Sequence, residues 1–419
     1  MKRLTLFCGI VIALSSAPNL ATAGKAATPN VGFGSQTQGG LKGRIIKVTN
    51  LNDSGPGSLR AALEASGPRV IVFEVGGLIW LSRDLMVRNP YVTVAGETAP
   101  SPGITVANGG IYIASHDVVL RHVRNRVGND PSGANLASRD GIIIAGTGRG
   151  EAIYNVVVDH CSVSWAVDEN VSTWYQNVHD VTIRYSIIAE GLLKGVENSK
   201  GLLVGDHSQR VSAIGNLFAN NRDRNPTLKG NTTSVLINNL IYNSGYWGVL
   251  LSDYEGRGRI QANVVNNLYR PGPSTSRSSP FTFAQRAPYG AQLYLAGNVS
   301  EDMLFRTNVA PDPRVSSWIT GLNFPTTMLP ANKVESFVLA NAGARPKDRD
   351  AVDKRIVREV TTHGGKLINS QRDVGGWPRT GATYRALSLP ANPQGDSNGN
   401  GRSNLEEWLD RYLVAVEGP

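Results

Sequence analysis

Cysteine is almost absent: Cys8 and Cys161 are the two thiols in 419 residues. An internal disulfide framework is excluded, so stability must come from a core or from bound metal ions. Histidine is scarce too, at six residues, and no His/Cys cluster with metal-ligand spacing occurs. Hard oxygen donors therefore favour calcium over zinc. Long charge runs are missing. So are long apolar runs, except at the start, where "MKR", the apolar Leu4 to Ser15 and "ATA" at Ala21 to Ala23 read as a secretory signal peptide over residues 1–23. That apolar core is too short to span a bilayer. The expectation is an exported, soluble chain, extracellular or periplasmic, with no membrane segment. Cys8 leaves with the signal. Cys161, within "VVVDHCSVSW", reads as a small buried side chain rather than a nucleophile.

What the chain does have is positive charge, +9 net. Such a balance suits an acidic partner, which outside the cell means anionic polysaccharide, a membrane surface or nucleic acid. It also has a loose internal repeat. "DVVLRHVRNRVG" from Asp117, "NVVVDHCSVSWA" from Asn155, "DVTIRYSIIAEG" from Asp180, "RVSAIGNLFANN" from Arg210, "TSVLINNLIYNS" from Thr233 and "RIQANVVNNLYR" from Arg259 can be stacked. Each begins with a short β-branched strand, passes a polar residue and resumes an alternating apolar pattern. The step is irregular, which excludes helical repeats of fixed period. Two-residue hairpin turns are scarce, which disfavours a sandwich or propeller. The pattern predicts an all-β chain, a right-handed parallel β-helix (β-solenoid). Asn216, Asn239, Asn267 and Asn298 recur at the bends, where asparagine tolerates left-handed geometry and hydrogen-bonds along a stack.

Toward the N-terminus, Ser58 is placed to cap a short helix, Leu59 to Ala65, covering the end of the solenoid. Toward the C-terminus, "DSNGNGRSNLEE" has the register of an EF-hand-like calcium loop. Asp396, Asn398 and Asn400 stand at positions one, three and five, Gly401 at six and Glu407 at twelve, followed by a helix. Asparagine at positions three and five lowers the charge, so a structural clip is expected rather than a sensor. The chain divides into 1–23, the signal; 24–300, the solenoid; 301–390, an extension with no readable motif; and 391–419, the calcium loop and helix.

One cation cluster needs a chemical reason: "NNRDRNPTLKG" gathers Arg222, Arg224 and Lys229 around Pro226. Taken in order, "VVVDHCSVSWAVDENVS", "SKGLLVG" and "RNPTLK" resemble the pectate lyase and pectin lyase family, and "VTNLNDSGPGSLRAALEASGPRVIVFEVGG" looks like the start of its bacterial members. The resemblance covers about residues 32 to 300. It implies a parallel β-helix that cleaves α-1,4-linked galacturonan by β-elimination, commonly with Ca2+, to give 4,5-unsaturated products. By the same resemblance Asp159 and Asp168 are calcium ligands, Arg224 is the catalytic base, Lys200 is catalytic and substrate-binding, and Lys229 stands for a substrate-binding arginine. Ser172 stands where the family often has a further aspartate.

These residue types suit that chemistry. The proton at C5 of a uronate lies alpha to an ionised carboxylate, so its removal builds up negative charge. A cation and lysines beside that carboxylate offset the charge. A guanidinium is a poor base unless its pKa is depressed. Two other readings compete. A glycoside hydrolase on the same fold would use two carboxyls such as Asp159 and Asp168. A non-catalytic solenoid would merely bind anionic glycan. The expected partner is polygalacturonate, with no nucleic acid and no membrane, bound by a monomer.

Overall fold

The computed structural model describes residues 31–418, except 134, 195–196, 277–281, 284–288, 301–305, 308–313 and 320–327. The expected signal peptide lies outside the described residues. Short strands coil into three long sheets of eleven, ten and seven strands. One turn shows how. Ile153–Asp159, Ser162–Ser164 and Glu169–Trp174 go to the eleven-, ten- and seven-stranded sheets in sequence, and Val178–Arg184 then pairs parallel with the first. This is the expected parallel β-solenoid.

Its interior is made of stacked apolar columns. Leu120, Val158, Ile183, Ala213, Leu236 and Val264 sit in register on successive turns, and all are buried in one core. Each buried apolar Å² contributes about 25 cal/mol, and β-branched side chains fit this pleated surface.

The asparagine bends differ from expectation in one respect. Asn216, Asn239 and Asn267 do form a ladder, each donating through Nδ2 to the Oδ1 of the next asparagine, at 2.9–3.0 Å, with Asn298 at the end. The left-handed residue is the one before each, Gly215, Asn238, Asn266 and Gly297. The ladder asparagines keep ordinary φ, and their amides satisfy buried carbonyls such as Ile183 O and Ala213 O.

Helix Leu59–Glu64 begins at Ser58, whose hydroxyl accepts the Ala61 N–H, and Leu59 and Leu63 join the core beside Leu85 and Val87. The stretch without a readable motif contains helices Ala331–Asn341 and Ala351–Thr361. Val334, Val338, Val352 and Ile356 pack them on Ile187, Leu217 and Leu240 of the ten-stranded sheet. Helix Asn404–Glu417 lays Leu405, Trp408 and Leu409 against Val70, Val72 and Ala95. Among the described residues no helix is long and apolar enough to cross a membrane.

Candidate active site

Four neighbouring strands of the seven-stranded sheet, Ile142–Ala145, Glu169–Trp174, Lys200–Val204 and Thr227–Lys229, each place polar residues at the same end. Asp140 precedes the first, Asp168 and Glu169 open the second, Lys200 opens the third and Arg224 precedes the fourth. Parallel rungs lie about 4.8 Å apart, so residues distant in sequence become neighbours. Together with Tyr112, Ser138, Trp174 and Tyr175 they line an open groove of about 350 Å³.

Asp140, Asp168 and Glu169 each offer a carboxylate oxygen, all within 4.8 Å of one another. Lys200, the register partner of Glu169, pairs with Asp168 and lies 3.5 Å from the Glu169 carboxylate. Arg224 has left-handed backbone geometry (φ 58°) and ion-pairs with Glu169 through Nη1. Burial pushes the Asp140 carboxyl up to about 7, and the Asp168 charge adds to this against the Ser172 hydroxyl, which donates to Asp140 at 2.8 Å. Burial also lowers the Arg224 guanidinium from its ordinary value, opposed by Asp168 and Asp140. Three crowded carboxylates are a hard-oxygen donor set that suits calcium.

Asp159 is not among them, which corrects its assignment as a partner of Asp168 on one ion. It ends a strand of the eleven-stranded sheet, in register with Arg121 and Arg184 on the turns either side. Its carboxylate accepts from Arg184 Nη2 at 2.7 Å and lies 2.7 Å from His160 Nδ1. Those charges hold it well below the usual carboxylate range despite burial. Its role in the structure is that of counter-ion to a buried arginine. Asp159→Asn should therefore cost about 2 kcal/mol of stability in urea unfolding and leave the calcium concentration for half-maximal activity where it was. A raised calcium requirement would return Asp159 to the metal.

Two acids of the groove, Asp140 and Glu169, are absent from the ligands expected from the sequence. In "SRDGIII" Asp140 stands two residues before the apolar strand Ile142–Ala145, as Glu169 stands two before Val171, the register partner of Ile142. Ser172 donates its hydroxyl to Asp140. Lys229 sits outside the groove lining, beside Glu255 at 3.0 Å and Asp206 at 3.7 Å. Arg222 lies over the Tyr246 ring, 5.0 Å from its centroid, with Asp223 at 3.7 Å, and does not line the groove. Cys161 is buried and its thiol is pushed up to about 12 by burial, unsuited to nucleophilic work.

In the C-terminal loop the four residues expected as ligands are engaged in hydrogen bonds within the loop. Asp396 accepts the N–H groups of Gly399, Asn400 and Gly401, and Asn398 and Asn400 both donate to Glu407 Oε1 at 2.7 Å. Gly401 takes φ 82°, the turn that position six demands.

Relatives named probable pectate lyase C align with most of the chain. The one from Neosartorya fischeri is 36% identical over 362 residues, covering 82% of this chain and 79% of that protein. The one from Aspergillus oryzae is 35% identical over 359 residues, covering 82% and 80%. Among solved structures, pectate lyase II from Xanthomonas campestris is 18% identical with a TM-score of 0.52, over 76% of this chain and 99% of its own. A Bacillus pectate lyase in complex with trigalacturonate is 15% identical with a TM-score of 0.54, over 75% and 98%. At these identities the structures attest the fold. No family model matches the chain.

Proposed function

Because the chain belongs to the pectate lyase family, a family of polysaccharide lyases, we propose that it cleaves α-1,4-linked polygalacturonate by calcium-assisted β-elimination, leaving 4,5-unsaturated oligogalacturonides. The observation that carries this reading is the grouping of Asp140, Asp168, Glu169, Lys200 and Arg224 along one open groove. Export of the mature chain belongs to the same reading, on the strength of the N-terminal sequence pattern.

Asp140, Asp168 and Glu169 are the residues that would hold calcium at the groove. Bound there, calcium supplies positive charge beside the substrate carboxylate that flanks C5. Arg224, oriented by Glu169, takes the C5 proton, for which it must be in its neutral form; burial shifts it in that direction. The electron pair left behind becomes the C4–C5 double bond. The C4–O bond breaks, and the departing oxygen takes a proton from water. Lys200 lies on the same side and stabilises the charge that develops before the bond breaks. Lys229, farther from the carboxylates, binds a neighbouring uronate by exchanging Glu255 for the substrate carboxylate. The Asp396–Glu407 loop would take a second, structural calcium near the C-terminal helix.

The test is polygalacturonate as substrate. Ultraviolet absorbance from unsaturated products should rise, and a chelator should stop it; saturated reducing ends without that absorbance would overturn the reading. A pH effect follows from Asp140. Its pKa in the fold is raised to about 7, so below that value a proton competes with the cation. The calcium concentration for half-maximal activity should climb as the pH falls from about 8 to about 6. Without calcium, the same raised pKa contributes stability in acid that is lost as the pH rises through about 7.

A further inference from the structure

We propose that the groove walled by Trp80, Trp377, Arg372 and Arg379 is a second binding site for anionic polysaccharide, separate from the catalytic groove. It rests on the lyase reading for the identity of its ligand. The cavity measures about 630 Å³ and is also lined by Leu78 and the Gly375–Gly376 pair, within the usual size range for ligand sites. Trp80 is 40% exposed, and its ring meets that of Trp377 edge to face, with centroids 4.8 Å apart.

Trp377 is a fixed wall. Its indole N–H donates to the Arg126 carbonyl at 2.7 Å, and its edge packs so closely on Gly128 that a Cβ there would lie 2.0 Å from Cζ2. Added Cβ atoms on Gly375 and Gly376 would meet nothing within 4 Å, so that rim is open. Arg372 and Arg379 are exposed, and neither forms an ion pair with a described carboxylate. Exposed indole faces match the C–H faces of pyranose rings, and two guanidinium forks match the carboxylates of a uronate chain.

Its place in the solenoid favours a glycan over other polyanions. Trp80 ends the strand Val75–Trp80, and the same turn continues into Leu85–Val87, the last strand of the seven-stranded sheet. Glu169–Trp174 lies three strands along that sheet, roughly 14 Å away. The loop between the sites joins them. Asn129 bonds to Gln371 and Ser370 next to Arg372, while Ser138 and Asp140 of the same loop line the catalytic groove. A polymer running along the sheet from the carboxylates would extend into this groove, whereas a trigalacturonate centred on the carboxylates would leave it empty.

The test reads binding without turnover, in an Arg224→Lys background, so failure of the chemistry and failure of this site stay distinguishable. Adding Trp80→Ala with Arg379→Ala should weaken binding of long polygalacturonate about tenfold in affinity electrophoresis and leave trigalacturonate affinity unchanged in calorimetry. Arg372→Glu with Arg379→Glu, both on exposed side chains, should give the same loss with an unchanged melting temperature, so misfolding of the Trp80 variant does not decide the matter. Equal polymer affinity in the background and in the charge-reversed protein would overturn the proposal. So would an equal loss for trigalacturonate, or Trp80-dependent binding of duplex DNA as tight as that of polygalacturonate.

Discussion

Arg224→Lys should lower kcat on polygalacturonate by about 10²–10⁴-fold, the range for removing a positioned general base. Affinity for the polymer should largely remain. A lysine keeps one positive charge but replaces the planar fork with a point charge of shorter reach. It loses the geometry by which one guanidinium both pairs with Glu169 and faces the substrate. The pairing draws on a carboxylate that is 3% exposed and two carboxylate neighbours, Asp168 and Asp140, that oppose deprotonation. Proton abstraction therefore depends on burial outweighing their charge. Single-turnover absorbance measurements check this, alongside a melting curve to confirm the fold. Wild-type turnover in the variant would remove Arg224 from the chemistry and return the groove to a purely binding role.

Asp353→Ala should destabilise the protein by about 3–5 kcal/mol, the usual cost of leaving buried charges without a partner. Asp353 is fully buried in helix Ala351–Thr361. It accepts from Arg126 Nη2 at 2.7 Å and from the Ser162 hydroxyl at 2.7 Å, and lies 3.5 Å from Arg124 Nε. Asp350, the cap of the same helix, pairs with Arg126 at 3.2 Å. Both arginines are fully buried on the strand Val123–Arg126, so loss of Asp353 leaves two cations with one counter-ion between them. Replacing Asp353 by Leu together with Arg126 by Met should recover most of the loss, because no uncompensated charge remains. Urea unfolding reads both. A loss under about 1 kcal/mol in the single variant would place this network among surface-like ion pairs of little worth.

Much of the site was legible in the sequence because a solenoid repeats its placing. Lys200 and Arg224 were readable from short motifs in chain order, and the structure brings both to the groove with Asp168. Asp140 was not, since it comes from the preceding turn, beyond a loop whose length no repeat dictates. Asp159 was misplaced for the converse reason. An acid at the end of an apolar strand looks alike on any sheet, and only the register that sets Asp159 between Arg121 and Arg184 shows what it faces. The helices over the ten-stranded sheet left no motif either, because their decisive residues, Asp350 and Asp353, answer arginines more than two hundred residues earlier.

The cluster "NNRDRNPTLKG" shows the division most plainly. The rung architecture, with its β-branched strands and asparagine bends, and the chemical types available to the groove are written along the chain. That Arg224 meets Glu169, that Arg222 lies over Tyr246 and that Lys229 is held by Glu255 and Asp206 comes from the stacking of turns. Strand propensity acts between near neighbours in the chain. The pairing of charges acts between neighbours in the stack, and in a solenoid each of those is one or two full turns away.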